Sequence, residues 1–192
     1  MKKLKTMVFP CLVMVLVIVC MGSVAFGQAS GKPSRMAVVY NTENPGETAL
    51  VDGRDETANV NFIYNNGTPV TIYDDYSDGW SRVGIGNGAI EGYIRTEWLL
   101  DDLQDVQPFE VPVVLISNIA EDGVVNLREL PMVESQYIDQ YPLGQEGIGL
   151  GMSEKWYHVS IDENIGFMDT TYLLKTEKTA EYQGQGTKSE VH

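Results

Sequence analysis

The chain has 192 residues, of which 27 are acidic and 13 are basic, and its formal net charge is −14. An excess of negative charge repels phosphate backbones and anionic lipid headgroups, so it argues against a nucleic-acid partner and against electrostatic binding to a membrane. The composition is typical of a solvated acidic surface, and it would also suit a cationic partner or divalent counterions.

The first 27 residues have the order of a secretory signal peptide. A basic start at residues 1–5 precedes an uncharged apolar stretch at residues 7–21, and Ala25-Phe26-Gly27 offers small residues for cleavage before Gln28. We therefore predict a secreted, extracellular protein that meets the membrane only transiently, through this signal peptide, and that can associate with the cell wall. The alternative is an uncleaved anchor, because the apolar stretch extended to Phe26 reaches the length of a spanning helix.

Both cysteines, Cys11 and Cys20, lie inside that N-terminal segment. Lipidation of Cys20 is not expected, because the preceding Val19 is too bulky for the usual lipoprotein pattern. The mature chain therefore has no disulfide, no thiol nucleophile and no cysteine-ligated zinc. Cleavage also removes three lysines, which leaves ten basic residues against 27 acidic ones.

The remaining chain divides into two modules, which span residues 36–100 and residues 111–174. Small polar residues at 28–35 predict a linker after the signal peptide, and the acidic stretch at 101–110 predicts a second linker between the modules. The polar tail at 175–192 has almost nothing to bury, so it is predicted to be disordered.

Both modules have the pattern of β-strands. Val70 and Ile72 alternate with polar neighbours, as half-buried strands do. Asn65-Asn66-Gly67 and Ser77-Asp78-Gly79 are turn tripeptides in which glycine supplies a positive φ. Short strands at close spacing, with no sustained helical period, predict an all-β fold of small barrels.

A repeated sequence pattern relates the two modules. Each copy begins at a Trp, continues to a Gly-aromatic-aliphatic triplet and ends at an aromatic residue before Leu-Leu. In both copies the Gly precedes the first Leu by seven positions, and such an internal repeat indicates two copies of one structural unit. The copies are Trp80, Gly92-Tyr93-Ile94 and Trp98-Leu99-Leu100, and then Trp156, Gly166-Phe167-Met168 and Tyr172-Leu173-Leu174.

The order of these elements resembles the bacterial SH3-like domain, a small β-barrel of exported and cell-wall proteins. Tyr64–Val70 is similar to the family's entry into its second long strand. Val125–Pro131 matches the family's Leu-Asn-Leu-Arg-x-x-Pro motif with Val at the first position, and its Arg128 is expected to bond backbone carbonyls. The first copy departs from the motif at residues 48–52, which lack its Arg and Pro. Three glycines at residues 147–151 predict a bulge or a loosened strand edge.

The resemblance implies two tandem SH3-like barrels that act as a non-catalytic binding module and recognise cell-wall peptide or glycan. The alternative function is protein–protein interaction, in which the chain is an accessory or inhibitory factor for another exported protein. Neither function implies a cofactor.

The sharpest candidate site lies on one hairpin of the first module. Its tyrosines and acidic residues would form a rim for an extended peptide, since SH3 grooves recognise ligands through aromatic and acidic side chains. The competing interpretation is a solvated acidic turn. Trp80 and Trp156 are expected more often to fill the barrel ends than to contact ligand, because an indole buries a large apolar area. The candidate ligand-binding residues are Tyr73, Asp74, Asp75, Tyr76, Asp78 and Trp80.

Catalysis and metal binding are not expected. His158 and His192 are the only histidines, and the chain has no nucleophile elbow and no two-histidine zinc motif. The acidic turn is not a calcium loop, because Tyr76 interrupts the alternation and Ile85 stands where the Glu should be. A carboxylate hydrolase is the least favoured hypothesis, since two small barrels should offer no deep cleft in which to raise a carboxyl pKa.

Overall fold

The computed structural model describes residues 34–43, 46–101 and 108–182, so the predicted signal peptide lies outside the described residues. Within those ranges the chain forms strands, turns and short 3₁₀ segments without an α-helix, which confirms the all-β class. The same ranges contain no helix with the length and apolarity needed to cross a membrane. The first half of the fold comprises β1 (Arg35–Val39), β2 (Glu47–Val51), β3 (Val60–Asn65), β4 (Pro69–Asp75), β5 (Trp80–Ile85), β6 (Ile90–Arg95), a 3₁₀ turn (Thr96–Trp98) and β7 (Leu99–Leu100).

The second half of the fold repeats this series of elements after the interval at residues 102–107. Its 3₁₀ turn again stands before the last strand, at the aromatic residue that precedes Leu-Leu. The second half comprises β8 (Phe109–Ile116), β9 (Val124–Arg128), β10 (Tyr137–Pro142), β11 (Glu146–Met152), β12 (Trp156–Ile161), β13 (Asn164–Asp169), a 3₁₀ turn (Thr170–Tyr172) and β14 (Leu173–Tyr182).

The two halves have the same order of paired strands. The first half runs β7-β1-β4-β5-β6-β2-β3, and the second runs β14-β8-β11-β12-β13-β9-β10. All of these pairings are antiparallel, and in each half the hydrogen-bonded order of the described strands is open rather than closed into a ring. The repeated sequence pattern therefore corresponds to a repeated topology.

Strand β11 joins the two halves into one sheet. Its beginning pairs with β8, while Gly151 and Met152 at its end pair with Tyr64 and Ile63 of β3. The pairing of β11 with β12 shifts register between Gly149 and Gly151, so the predicted bulge in this glycine-rich stretch is confirmed. The strand is not a loosened edge, because it has neighbours on both sides.

The hydrophobic cores also join the halves. Phe167 of β13 is fully buried in the cluster formed by the first half, next to Phe62 and Leu50, and Trp156 packs against the same cluster. A further cluster combines Val38 and Leu100 of the first half with residues of the second half, which are Phe109, Val111, Ile148, Leu150, Ile165 and Tyr182. The second half keeps a core of its own around Val159 and Leu127.

The structure corrects two of the predicted boundaries. Strand β14 continues to Tyr182 and pairs with β8, so the predicted disorder of the tail is wrong for residues 175–182. Tyr182 is only 7% exposed and belongs to a hydrophobic core cluster. Burial of this ring stabilises the end of β14, although the sequence around it is polar. Residues 183–192 lie outside the described residues. The predicted linkers are also one or two residues too long, because β1 begins at Arg35 and β8 begins at Phe109.

Candidate functional site

The predicted hairpin site is formed by β4 and β5, and its side chains gather around arginines. A register shift between Ile72 and Asp74 brings both Tyr73 and Asp74 against Arg82 on the opposite strand. The Arg82 guanidinium lies 5.1 Å from the centre of the Tyr73 ring, and it pairs with the Asp74 carboxylate at 3.0 Å. The hydrogen bond that Arg82 donates to the Asp74 carboxylate raises the pKa of Arg82, so this charge is stable at any working pH.

Further along the hairpin, two more arginines hold the remaining acidic residues. Arg54 lies over the Tyr76 ring, 3.9 Å from its centre, and pairs with Asp78 at 2.8 Å. Arg35 pairs with Asp75 at 2.9 Å, and the hydrogen bond that Arg35 donates to this carboxylate raises the pKa of Arg35. Each of the three predicted acidic residues is therefore neutralised by an arginine.

Trp80 differs from the other predicted residues because it is buried. Its side chain is 5% exposed, and the Arg95 guanidinium covers the ring at 4.3 Å from its centre. Arg95 is held in turn by an ion pair with Glu56. Trp80 is therefore largely covered by the protein, which agrees with the structural interpretation of this residue.

The structure thus brings the six predicted residues onto one hairpin, with Tyr73 and Tyr76 half-buried at its surface. Sequence reasoning missed the arginines, which come from four separate places in the chain. All four basic residues of positions 34–101 are used here. We call the outer surface of β4–β6 formed by Tyr73, Tyr76, Arg82 and Tyr93 the tyrosine–arginine face.

The tyrosine–arginine face has a counterpart in the second half. Arg82 pairs across the strands with Tyr93, and His158 pairs in the same place with Phe167. In the second half this surface is covered by the first half, since both His158 and Phe167 have no exposed area. The same position of the repeat is therefore an internal interface in one copy and a solvent-facing surface in the other.

His158 is the most unusual polar residue of this interface. Its ring stacks on Phe167 with centroids 4.6 Å apart, and the edge of the Tyr64 ring approaches it at 5.9 Å. Neither of its ring nitrogens has a hydrogen-bond partner among the described residues. Complete burial lowers the pKa of His158 to about 3, because the cationic ring would lose its hydration, so the imidazole is neutral.

A cleft of about 800 Å³ lies between the two halves next to this interface. The cleft is made by the packing of the halves and not by either half alone. The first half lines it with Thr71, the turn after β5 and Ala89. The second half lines it with Glu129, Leu130, Ile138, Glu163, Ile165 and the fully buried residues His158 and Phe167.

Two further expectations concern the role of Arg128 and the binding of a metal ion. Arg128 donates a 2.7 Å hydrogen bond to the Ser135 carbonyl oxygen, so it ties the loop after β9 to its own strand as predicted. Within the described ranges no three His, Cys, Asp or Glu side chains are grouped so that they could hold a metal ion.

No family model and no curated protein matches this chain. Among solved structures it is similar to NlpC1 and NlpC2 from Trichomonas vaginalis and to a putative autolysin from Listeria monocytogenes, each at 15% sequence identity. The TM-scores are 0.36, 0.35 and 0.26, with 81%, 77% and 80% of this chain covered. The similarity covers 51%, 50% and 68% of those proteins, so the chain spans about half the length of the two NlpC proteins.

Proposed function

We propose that this chain is an exported, non-catalytic binding module of two SH3-like β-barrels, and that its ligand is cell-wall peptide or glycan. The order of the N-terminal residues supports export. The motif at Val125–Pro131 and the repeated Trp, Gly and Leu-Leu pattern support the family assignment. The strand order shared by the two halves supports a tandem of one structural unit.

The equivalence of two surfaces carries the proposal. The surface of β12–β13 makes a close protein contact that buries His158 and Phe167 completely, whereas the equivalent Arg82 and Tyr93 of the tyrosine–arginine face are only half-buried. A position that is suited to contact in one copy is therefore presented to solvent in the other. The second copy uses apolar Phe167 there, while the first uses Tyr93, which keeps an apolar ring and adds a hydroxyl.

The chemistry of the tyrosine–arginine face suits a ligand with flat surfaces and hydrogen-bonding groups. Tyrosine rings offer rigid apolar planes on which peptide groups or sugar rings stack, with a hydroxyl at the edge. The guanidinium groups of Arg54 and Arg82 hold the Tyr76 and Tyr73 rings in place before binding. Such preorganisation lowers the entropy cost of forming a complex.

Binding to purified cell-wall sacculi at low and high salt tests the proposal. We expect the mature wild-type chain to bind, and we expect Tyr76→Ala to lose about 2 kcal/mol or more of binding free energy, as truncation at a binding centre does. Tyr172→Ala is the matched control, because that ring is 37% exposed in the second half and lies outside the face. Equal binding by the two variants would remove the tyrosine–arginine face from the proposal.

Trp80→Ala separates a structural role from a binding role. Because Trp80 is buried, we expect the variant to lose about 3–5 kcal/mol of folding stability. A thermal melt recorded with the binding assay shows whether any loss of sacculus binding follows from unfolding. Intact sacculi after prolonged incubation with the wild-type chain are also expected, and release of soluble fragments would point to a hydrolase.

Binding to another exported protein is the second candidate function. Tyrosine and arginine are enriched in protein–protein interfaces relative to other surfaces, and the tyrosine–arginine face is made of these residues. A chain that leaves sacculi unbound but is crosslinked through Tyr76 to an exported protein would favour this function over wall binding.

A further inference from the structure

The chain contains two Asn-Gly pairs, and the structure surrounds them differently. Asn66-Gly67 lies in the turn between β3 and β4, and Asn87-Gly88 lies in the turn between β5 and β6. In such a pair the backbone nitrogen of the glycine can approach the side-chain amide of the asparagine, because glycine has no Cβ atom to hinder the approach. The two pairs therefore share one chemistry and differ in how the fold holds them.

The first pair, Asn66-Gly67, is held by hydrogen bonds at every group that would react. The side-chain oxygen of Asn66 accepts a 2.7 Å bond from the Asn41 N–H, and its side-chain nitrogen donates a 2.8 Å bond to the Asn41 carbonyl oxygen. The N–H of Gly67, which is buried, donates a 2.8 Å bond to the Val39 carbonyl oxygen. The nitrogen and the amide cannot approach each other unless these bonds open.

The second pair, Asn87-Gly88, has none of these restraints. Asn87 is exposed and Gly88 is partly exposed. Among the described residues, neither the side chain of Asn87 nor the N–H of Gly88 has a hydrogen-bond partner. The turn is bridged by the bond from the Ala89 N–H to the Gly86 carbonyl oxygen, and the pair lies between those two residues. Both reacting groups of this pair are therefore free to move and open to water.

We propose that Asn87 is a site of spontaneous deamidation and that Asn66 is protected from the same reaction. The backbone nitrogen of Gly88 attacks the side-chain carbonyl carbon of Asn87 and loses its proton to water. The bond from that carbon to the side-chain nitrogen then breaks, ammonia leaves, and a five-membered succinimide remains. Water opens the succinimide at either of its two carbonyl groups, which gives aspartate or isoaspartate. The reaction consumes one water molecule, needs no oxidant or reductant, and does not depend on cell-wall binding.

The turn that carries this site contacts the interface between the two halves. A Cβ atom at Gly86 would lie 3.0 Å from two carbons of the Phe167 ring, so the backbone of the turn lies against the ring that the second half inserts into the first. Isoaspartate adds one carbon to the main chain after residue 87, whereas aspartate leaves the main chain unchanged. Because close-packed contacts do not accommodate extra atoms without movement, we expect isoaspartate to loosen the contact between the halves.

Incubation of the mature chain at mildly alkaline pH, followed by peptide mapping with mass spectrometry, tests the site. In the native chain we expect Asn87 to deamidate about tenfold faster than Asn66 or more, because hydrogen bonds must open before Asn66 reacts. In denaturant the two pairs should react at similar rates, since the fold no longer protects either. Equal rates in the native chain would overturn the proposal, as would protection of Asn87 by folding to the same extent as Asn66.

Thermal melts of the aged chain test the effect on the interface. Peptide mapping measures the fraction of isoaspartate at residue 87, and we expect the melting temperature to fall as this fraction rises. Asn87→Asp is the matched control, because it introduces the same charge without lengthening the main chain, and it should melt near the wild type. Asn87→Gln should stay unchanged at this position over the same incubation and keep its melting temperature. An aged wild type that melts like Asn87→Asp would overturn the predicted loosening of the contact.

Discussion

The β5–β6 surface of the first half and the β12–β13 surface of the second half stand at the same place in one repeated topology, yet one faces solvent and the other is buried. The exposed copy carries Arg82 and Tyr93, and the buried copy carries His158 and Phe167. The solvent-facing copy therefore has the permanent charge of Arg82 and the hydroxyl of Tyr93, and the buried copy has neither. Burial of an arginine there would have required a compensating partner.

The edge strands differ in the complementary way. In the first half the outer edge of β3 is covered by β11, and Phe62 beside that edge is buried. The registers of β2–β3 and β9–β10 place Asp139 of β10 where the first half has Phe62. A charged side chain on an edge strand discourages further strand pairing.

The largest test of this comparison is truncation of the two matched aromatic residues. Phe167→Ala should lose about 3–5 kcal/mol of stability, because the ring has no exposed area and fills the core of the first half. Tyr93→Ala removes the matched ring of the exposed face and should lose less than half as much. Denaturant unfolding measures both, and equal losses would show that the two surfaces do not differ as the structure indicates.

The pH dependence of stability tests the buried histidine of the interface. His158 has an ordinary pKa of 6.5 when unfolded and about 3 when folded, so between these values only the unfolded state binds the proton. Stability should therefore fall as the pH is lowered from about 6.5 to about 3, by at most about 1.4 kcal/mol per pH unit. His158→Leu should lack this component, and parallel stability curves for wild type and variant would contradict the prediction.

The close contact of β11 with β3 predicts a difference between two neighbouring glycines. A Cβ atom at Gly151 would overlap the Tyr64 ring and lie 2.7 Å from the Ile63 carbonyl oxygen, so Gly151→Ala should cost about 1–3 kcal/mol. At Gly149 the nearest atoms would be 3.4 Å away, so Gly149→Ala should change stability by less than about 0.5 kcal/mol. Thermal melts of the two variants check the contact, and similar melting temperatures would contradict it.

The smallest effect is expected for the ion pairs of the exposed face. The side chains of Asp74 and Arg82 are 26% and 39% exposed, so solvent screens their attraction. Asp74→Asn should therefore cost less than about 1 kcal/mol of stability. Asp122→Asn, an exposed residue of the second half, is the control for the change of net charge. A loss of more than about 2 kcal/mol would mean that the face is a rigid part of the core.

Local patterns in the sequence determined the class of the fold and its repetition. Alternation around Val70 and Ile72 predicted β4, the two tryptophans marked the starts of β5 and β12, and the glycines at residues 147–151 predicted the bulge of β11. These features depend on neighbours one or two positions away, and the sequence shows such neighbours directly. Because the six candidate residues are close together in the sequence, the same local information predicted that they lie on one hairpin.

Only the tertiary structure decided how the two copies are used. The arginines that neutralise the hairpin, the burial of Phe167 in the other half, the anchoring of Tyr182 and the cleft above His158 all depend on contacts between residues far apart in the chain. In the sequence His158 is one polar residue within an apolar strand, and the tail is a polar segment. Packing determines their roles, because burial and hydrogen-bond partners are properties of neighbours in space.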